Sequence, residues 1–197
     1  ARKAIQRLGK LLREIRGQRE IFLFLLAFFF YIDGVYTIIS MATSYGKDVG
    51  ISDNHLLLAL LLTQVVAFPF ALLFGILSRR FATSLLLRVC ILGYIFIVLF
   101  ALQLDRAWEF WALAVLVAMF QGGIQALSRS YFAKIIPKEN SSEYFGLFDI
   151  FGKGASFLGT MMMGISTQIS GSSRVGVAMI ALLFIAGLFT FQKAVKK

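Results

Sequence analysis

The sequence predicts an all-α integral membrane fold of six transmembrane helices, preceded by a basic amphipathic helix. Three observations carry this. Of the 197 residues, 59% are hydrophobic and 15% charged, with a mean hydropathy of +0.82, beyond the roughly half-apolar composition of a water-soluble domain. Apolar stretches long enough to cross a bilayer, about 20 residues each, recur along the chain. Lys and Arg concentrate in the connections between them, in alternating numbers. Helix is favoured over barrel because the stretches are continuously rich in Leu, Ile, Phe and Ala, where barrel strands alternate apolar and polar over about 10 residues.

Residues 1–20 place Ile5, Leu8, Leu12 and Ile15 at spacings of three and four among Arg and Lys, which is a helical period. Such a helix lies in the membrane interface with its cations toward anionic headgroups; a solvated linker helix is the other use of the same pattern. The bundle, residues 21–197, holds spans at about 21–45, 55–77, 84–103, 107–132, 143–168 and 174–192. The first is too long for a signal-peptide core, carries Asp33, and is followed by five more spans without a small-residue cleavage site. Pro69 predicts a kink in the second. The third and sixth are nearly pure Leu, Ile, Val, Phe and Ala apart from Arg88, and both are expected to face lipid. Pro137 ends the fourth. The fifth begins EYFGLFDIFGKGASFLG (143–159), where Gly152, Ala155, Ser156 and Gly159 form overlapping small-xxx-small patterns, predicting close helix contact and room to bend.

The net charge of +10 is explained by its distribution. Seven cations precede the first span; the following connections hold Lys47, then Arg79 and Arg80, then Arg106, then Arg129, Lys134 and Lys138, then Arg174, and last Lys193, Lys196 and Lys197. Positive connections stay cytoplasmic, so both termini are predicted inside, and nucleic-acid binding is excluded as the reason for the charge. Cys90, the single cysteine, can form no intrachain disulfide, and His55 has no second Cys or His near it in sequence, so no zinc site is expected.

The polar residues of the first, fourth and fifth spans are the candidate functional residues. Asp33 sits about a dozen residues into the first span, near mid-membrane at 1.5 Å per residue, with Thr37 one turn on. Lys153 lies at similar depth in the fifth, and Asp149 precedes it by four, the favourable order for an intrahelical pair. Three roles stay open: an Asp33–Lys153 pair that opens and closes, a structural Asp149–Lys153 pair, and a proton-coupling carboxylate at Asp33. Gln121, Gln125 and Arg129 recur at i, i+4, i+8 and share a face, suited to lining a solute path, while the adjacent Gly122 and Gly123 suit helix packing. There is no Gly-x-Ser-x-Gly, P-loop, His-Glu-x-x-His or dinucleotide fingerprint. GKGAS (152–156) lacks the glycine spacing and strand context of a phosphate loop. The chain is therefore expected not to be an enzyme and to carry no cofactor.

Six spans with both ends inside resemble one half of a major facilitator superfamily transporter. GILSRRFA (75–82) is similar to that superfamily's Gly-x-Leu-x-Asp-Arg-x-Gly loop, with Gly75, Leu77 and Arg80 matching, Arg79 in place of Asp and Ala82 in place of Gly. YIDGVYTIISMATSYG (31–46) and QGGIQALSRSYFAKIIPKENSSEYFGLFDIFGKGASFLG (121–159) resemble the vacuole-effluxer-like branch, which includes autophagy-linked vacuolar amino-acid exporters and bacterial relatives. Thr160 stands where that branch commonly has Pro, so no proline kink is expected there. The resemblance implies the C-terminal six-helix half of a secondary transporter that works with an N-terminal six-helix half. Its first and fourth spans would line the cavity, its second and fifth meet the other half, and its third and sixth lie outermost. The implied function is alternating-access transport or efflux of a small polar, amino-acid-like solute, in a bacterial inner membrane or vacuole-type membrane. Asp33, Lys153 and Asp149 become coupling candidates, Thr37, Gln121 and Gln125 solute contacts, and Gly75, Arg79, Arg80 and Arg129 loop or gating residues. A non-transporting scaffold with structural intramembrane charges is the rival reading. A lipid-modifying membrane enzyme is disfavoured for want of an interfacial His, Cys or carboxylate cluster.

Overall fold

A computed structural model describes residues 14–195, residue 16 excepted, and these form helices α1 (Arg19–Asp48), α2 (Asp53–Leu77), α3 (Thr83–Ala101), α4 (Ala107–Ile135), α5 (Ser141–Gly154), α6 (Phe157–Ser170) and α7 (Ser173–Val195). No strand occurs among the described residues. Residues 1–13 and 16 of the predicted amphipathic segment 1–20 lie outside them, and its last two residues belong to α1. Five helices, α1 to α4 and α7, are long and apolar enough to cross a membrane. The fifth predicted span is a correction: 143–168 is two helices of 14 residues each, α5 and α6, interrupted at Ala155 and Ser156. Each is about 21 Å long at 1.5 Å per residue, short of a bilayer core by itself.

Two helix pairs carry the bundle, α1 with α7 and α2 with α4; α3 wedges between α4 and α7, and α6 rests on α7. Glycines set the two main approaches. Gly122 faces the Ala67 carbonyl and Ala71, and Gly123 lies under the Phe74 ring, while Gly34 and Gly187 bring α1 and α7 together against Phe184 and Tyr31. Tyr31 and Ser128 share a hydrogen bond of 2.7 Å between α1 and α4. Ser128 spends its own proton on the Ile124 carbonyl, so Tyr31 is the donor.

The third and sixth spans, expected to face lipid, each turn one face inward and leave the other exposed: in the most apolar stretch of each helix 44% of α3 and 39% of α7 is buried, against 17% of α2. The exposed faces carry Leu85, Val89, Leu92 and Phe96 on α3 and Leu182, Ile185 and Phe189 on α7. Leu87, Cys90, Ile91 and Tyr94 form an inward stripe on α3, and Tyr94 stacks on Phe184 of α7 at 5.2 Å. The exposed face of α2 carries Leu57, Leu61, Val65, Phe68 and Leu72, and its helix runs unbroken through Pro69. At the far end of the bundle, Lys47 pairs with Asp53 at 3.0 Å, Arg174 pairs with Asp105, and Ser173 donates to Asp48.

Candidate functional site: a polar cavity beside a broken helix

The break in the fifth span follows from local sequence. Glycine at 152 and 154 weakens the end of α5, Ala155 is extended (φ −69°, ψ 158°), and Ser156 is left-handed (φ 84°, ψ −6°). A left-handed conformation costs an L-residue roughly 1–2 kcal/mol, so it persists only if something rewards it. The reward is Asp33. Its Oδ1 accepts from the backbone N–H of Ser156 at 3.0 Å and of Gly159 at 2.9 Å, and its Oδ2 accepts from Leu158 N–H at 3.1 Å. Thr37 Oγ1 donates to the same carboxylate at 3.3 Å. A carboxylate on α1 thus caps the positive end of α6 from another helix, where it meets both the orphan donors and the helix dipole. Asp33 and Thr37 are both fully buried. Gly159 admits this approach: a Cβ there would lie 2.1 Å from Thr37 Oγ1 and 2.9 Å from Asp33 Oδ1.

Beside the break lies a cavity of about 670 Å³ lined by Phe28, Ile32 and Tyr36 of α1, Gln125, Ala126 and Arg129 of α4, Phe148, Asp149, Gly152 and Lys153 of α5, and Ala155 and Ser156. Arg129 Nη2 meets Asp149 Oδ1 at 2.6 Å, and its guanidinium lies 5.8 Å and 5.9 Å from the ring centroids of Phe145 and Phe148. Lys153 makes no ion pair among the described residues. The wall therefore offers one paired cation, one further cation, one carboxylate, an amide and a phenol.

The structure brings together part of the predicted set. Gln125, Arg129, Asp149 and Lys153 share the cavity, with Tyr36 and Ser156 as residues that the sequence reading missed. Asp33 and Lys153 do not pair, because Asp33 is enclosed behind the start of α6 and Lys153 is exposed. Asp149 turns to Arg129 on α4 rather than to Lys153 one turn on. Gln121 lines a separate, mainly apolar cavity with Gln64, Tyr45 and Val117. Gly75, in the last turn of α2, and Arg79 and Arg80, in the turn that follows, are exposed and remote in sequence from the cavity wall. Among the described residues no cluster of His, Cys, Asp and Glu could hold a metal.

The strained serine is testable in isolation. Ser156→Val should destabilise the protein by about 1–2 kcal/mol, since a β-branched side chain tolerates the left-handed region worst, whereas Ser156→Gly should hold or gain stability. Thermal melting in detergent reads both, and equal melting temperatures would refute the strain.

An all-helical bundle with five helices long and apolar enough to cross a membrane defines a multi-pass membrane protein. Residues 2–196 match the family described as vacuole effluxer Atg22 like. The chain belongs to that family. It is 48% identical, over 94% of its own length and 43% of the relative's, to the uncharacterized MFS-type transporter YxiO of Bacillus subtilis (strain 168). It is 27% identical to autophagy-related protein 22-1 of Aspergillus niger, over 92% of this chain and 32% of the relative. With autophagy-related protein 22 of Saccharomyces cerevisiae (strain YJM789) the identity is 29%, over 89% of this chain and 36% of that protein. The chain thus spans less than half the length of these relatives.

Proposed function

We propose that this chain is one six-helix half of a secondary transporter, and that the polar cavity between α1, α4 and α5 is its share of the path for a small amino-acid-like solute. The observation that carries this is the company of Lys153, Arg129 and Asp149 in one cavity. A solute carboxylate would meet Lys153 and the guanidinium, and a solute ammonium would meet Asp149, with Gln125 and Tyr36 supplying neutral hydrogen bonds. Charged groups grouped in an open cavity on an otherwise apolar bundle suit a path for a polar solute. The family relationship to a protein named an MFS-type transporter supports the same reading. Alternating access then needs an opposing bundle, which we assign to a second six-helix half, with both ends of this half on the cytoplasmic side as the distribution of Lys and Arg indicates.

The test is uptake of a radiolabelled amino-acid mixture by the full-length protein in proteoliposomes. Wild-type protein should accumulate label above empty vesicles. Lys153→Gln and Arg129→Gln should each cut the initial rate about tenfold or more, the loss of a charge-assisted hydrogen bond of about 1.5–3 kcal/mol, while Lys138→Gln, at an exposed residue outside the cavity wall, stays near wild type. Vesicles that take up nothing, or charge variants that lose folding but not flux per folded molecule, would leave the non-transporting scaffold as the better account.

A further inference from the structure

The two halves of the broken span are held by different kinds of contact. At its start α6 is joined to α1 at backbone distance: two of its N–H groups and that of Ser156 just before it sit on the Asp33 carboxylate, and Gly159 lies against Thr37. Further along, Gly176 of α7 lies against the Met163 carbonyl and Thr167 of α6. Contacts made through glycine and backbone leave little slack, because no side-chain torsion can absorb a displacement. By contrast, α5 is held by side chains. Phe148 stacks on Phe28 of α1 at 4.0 Å and on Phe132 of α4 at 5.0 Å, and Asp149 pairs with a half-exposed Arg129. Stacked rings slide, and an exposed ion pair is worth little. Between the halves, Gly154 has room for a Cβ and no left-handed angle to require glycine. What its missing side chain adds there is backbone freedom.

We propose that Asp33 is a positioning residue that fixes α6 to the α1–α7 pair, so that α5 alone swings about residues 152–156 and opens or closes the polar cavity. The carboxylate acts through α6 and does not touch the solute. All the donors around it serve it as an acceptor, which suits a permanent anchor. Asp149 releasing Arg129 is the step that frees α5, and the cavity wall formed by Asp149, Gly152 and Lys153 moves with it. The consequence for transport rests on the cavity being the solute path; the motion itself does not.

The experiment is a pair of spin-label distance measurements on the full-length protein in lipid nanodiscs, without solute. Labels replace exposed side chains: Phe22 on α1 with Ile150 on α5, and Phe22 with Ile165 on α6. The distance distribution for 22–150 should be at least about twofold wider than for 22–165, as expected of a hinged element against a fixed one. Arg129→Gln should widen the first and leave the second unchanged. Asp33→Ala should widen the second, and added formate, which fits the vacated acceptor position, should narrow it again. Equal widths in the otherwise unmodified protein overturn the proposal, as does a narrow 22–165 distribution in Asp33→Ala without formate. The comparison of the two label pairs stands even where an Asp33 variant fails to fold. A protein that shows the two widths but moves no label in vesicles would sink the transport reading and leave this one intact.

Discussion

Replacing Asp33 by alanine should lower the stability of the detergent-solubilised protein by about 3–5 kcal/mol, on the scale of removing one partner from a buried charge pair. The carboxylate satisfies three backbone donors at 2.9–3.1 Å in a position with no access to solvent. Each donor left without a partner costs roughly 1–3 kcal/mol. Part of this is offset because the variant no longer has to desolvate a charge. Asparagine should fall between, since its carbonyl can still accept from Ser156 and Gly159 while its amide would turn a donor toward the Leu158 N–H. Thermal unfolding followed by size-exclusion recovery separates the three proteins. An alanine variant that melts with the wild type would mean that α6 does not depend on its cap.

Gly122→Val should also be severe, at or above the roughly 1–3 kcal/mol of an overpacked core. A Cβ at this position would lie 2.8 Å from the Ala67 carbonyl oxygen and 2.8 Å from the Ala71 Cβ. Neither can rotate away, so α2 and α4 must separate along their whole contact. Gly146→Val is the control, since a Cβ there meets nothing within 4 Å, and valine, a somewhat better helix former than glycine, should leave stability unchanged or slightly raised. If both variants behave alike, α2 and α4 are not held by close approach. The two substitutions separate overpacking from the change of propensity in the same melting assay.

How much was visible beforehand differs by level. The long apolar runs fixed the helices to within a few residues, because hydropathy acts along the chain. The depth of Asp33 was legible from its distance into the first span, but not the direction of its side chain. Its partners lie 123 to 126 positions away, and nothing local encodes them. Asp149 and Lys153 have the spacing of an intrahelical pair, yet Arg129 is close enough at 2.6 Å to take the carboxylate. Such a choice is made by helix packing. GKGAS was readable in another way: two glycines and a serine within five residues of an apolar span are poor helix formers, and that weakness marked the break. The apolar character of the third and sixth spans did not say which of their faces turns inward, because lipid and protein interior favour the same side chains.

The cap on α6 also imposes an order on biogenesis. Asp33 enters the membrane with the first helix, while the amides that satisfy it belong to residues made 123 positions later, about 6–25 s at ordinary synthesis rates. During that interval a carboxylate must wait in an apolar medium without its final partners, at a cost of several kcal/mol. Thr37 can give it one hydrogen bond from the same helix at once. The nascent first helix is thus under pressure to stay near the insertion machinery until the ribosome has delivered the fifth span.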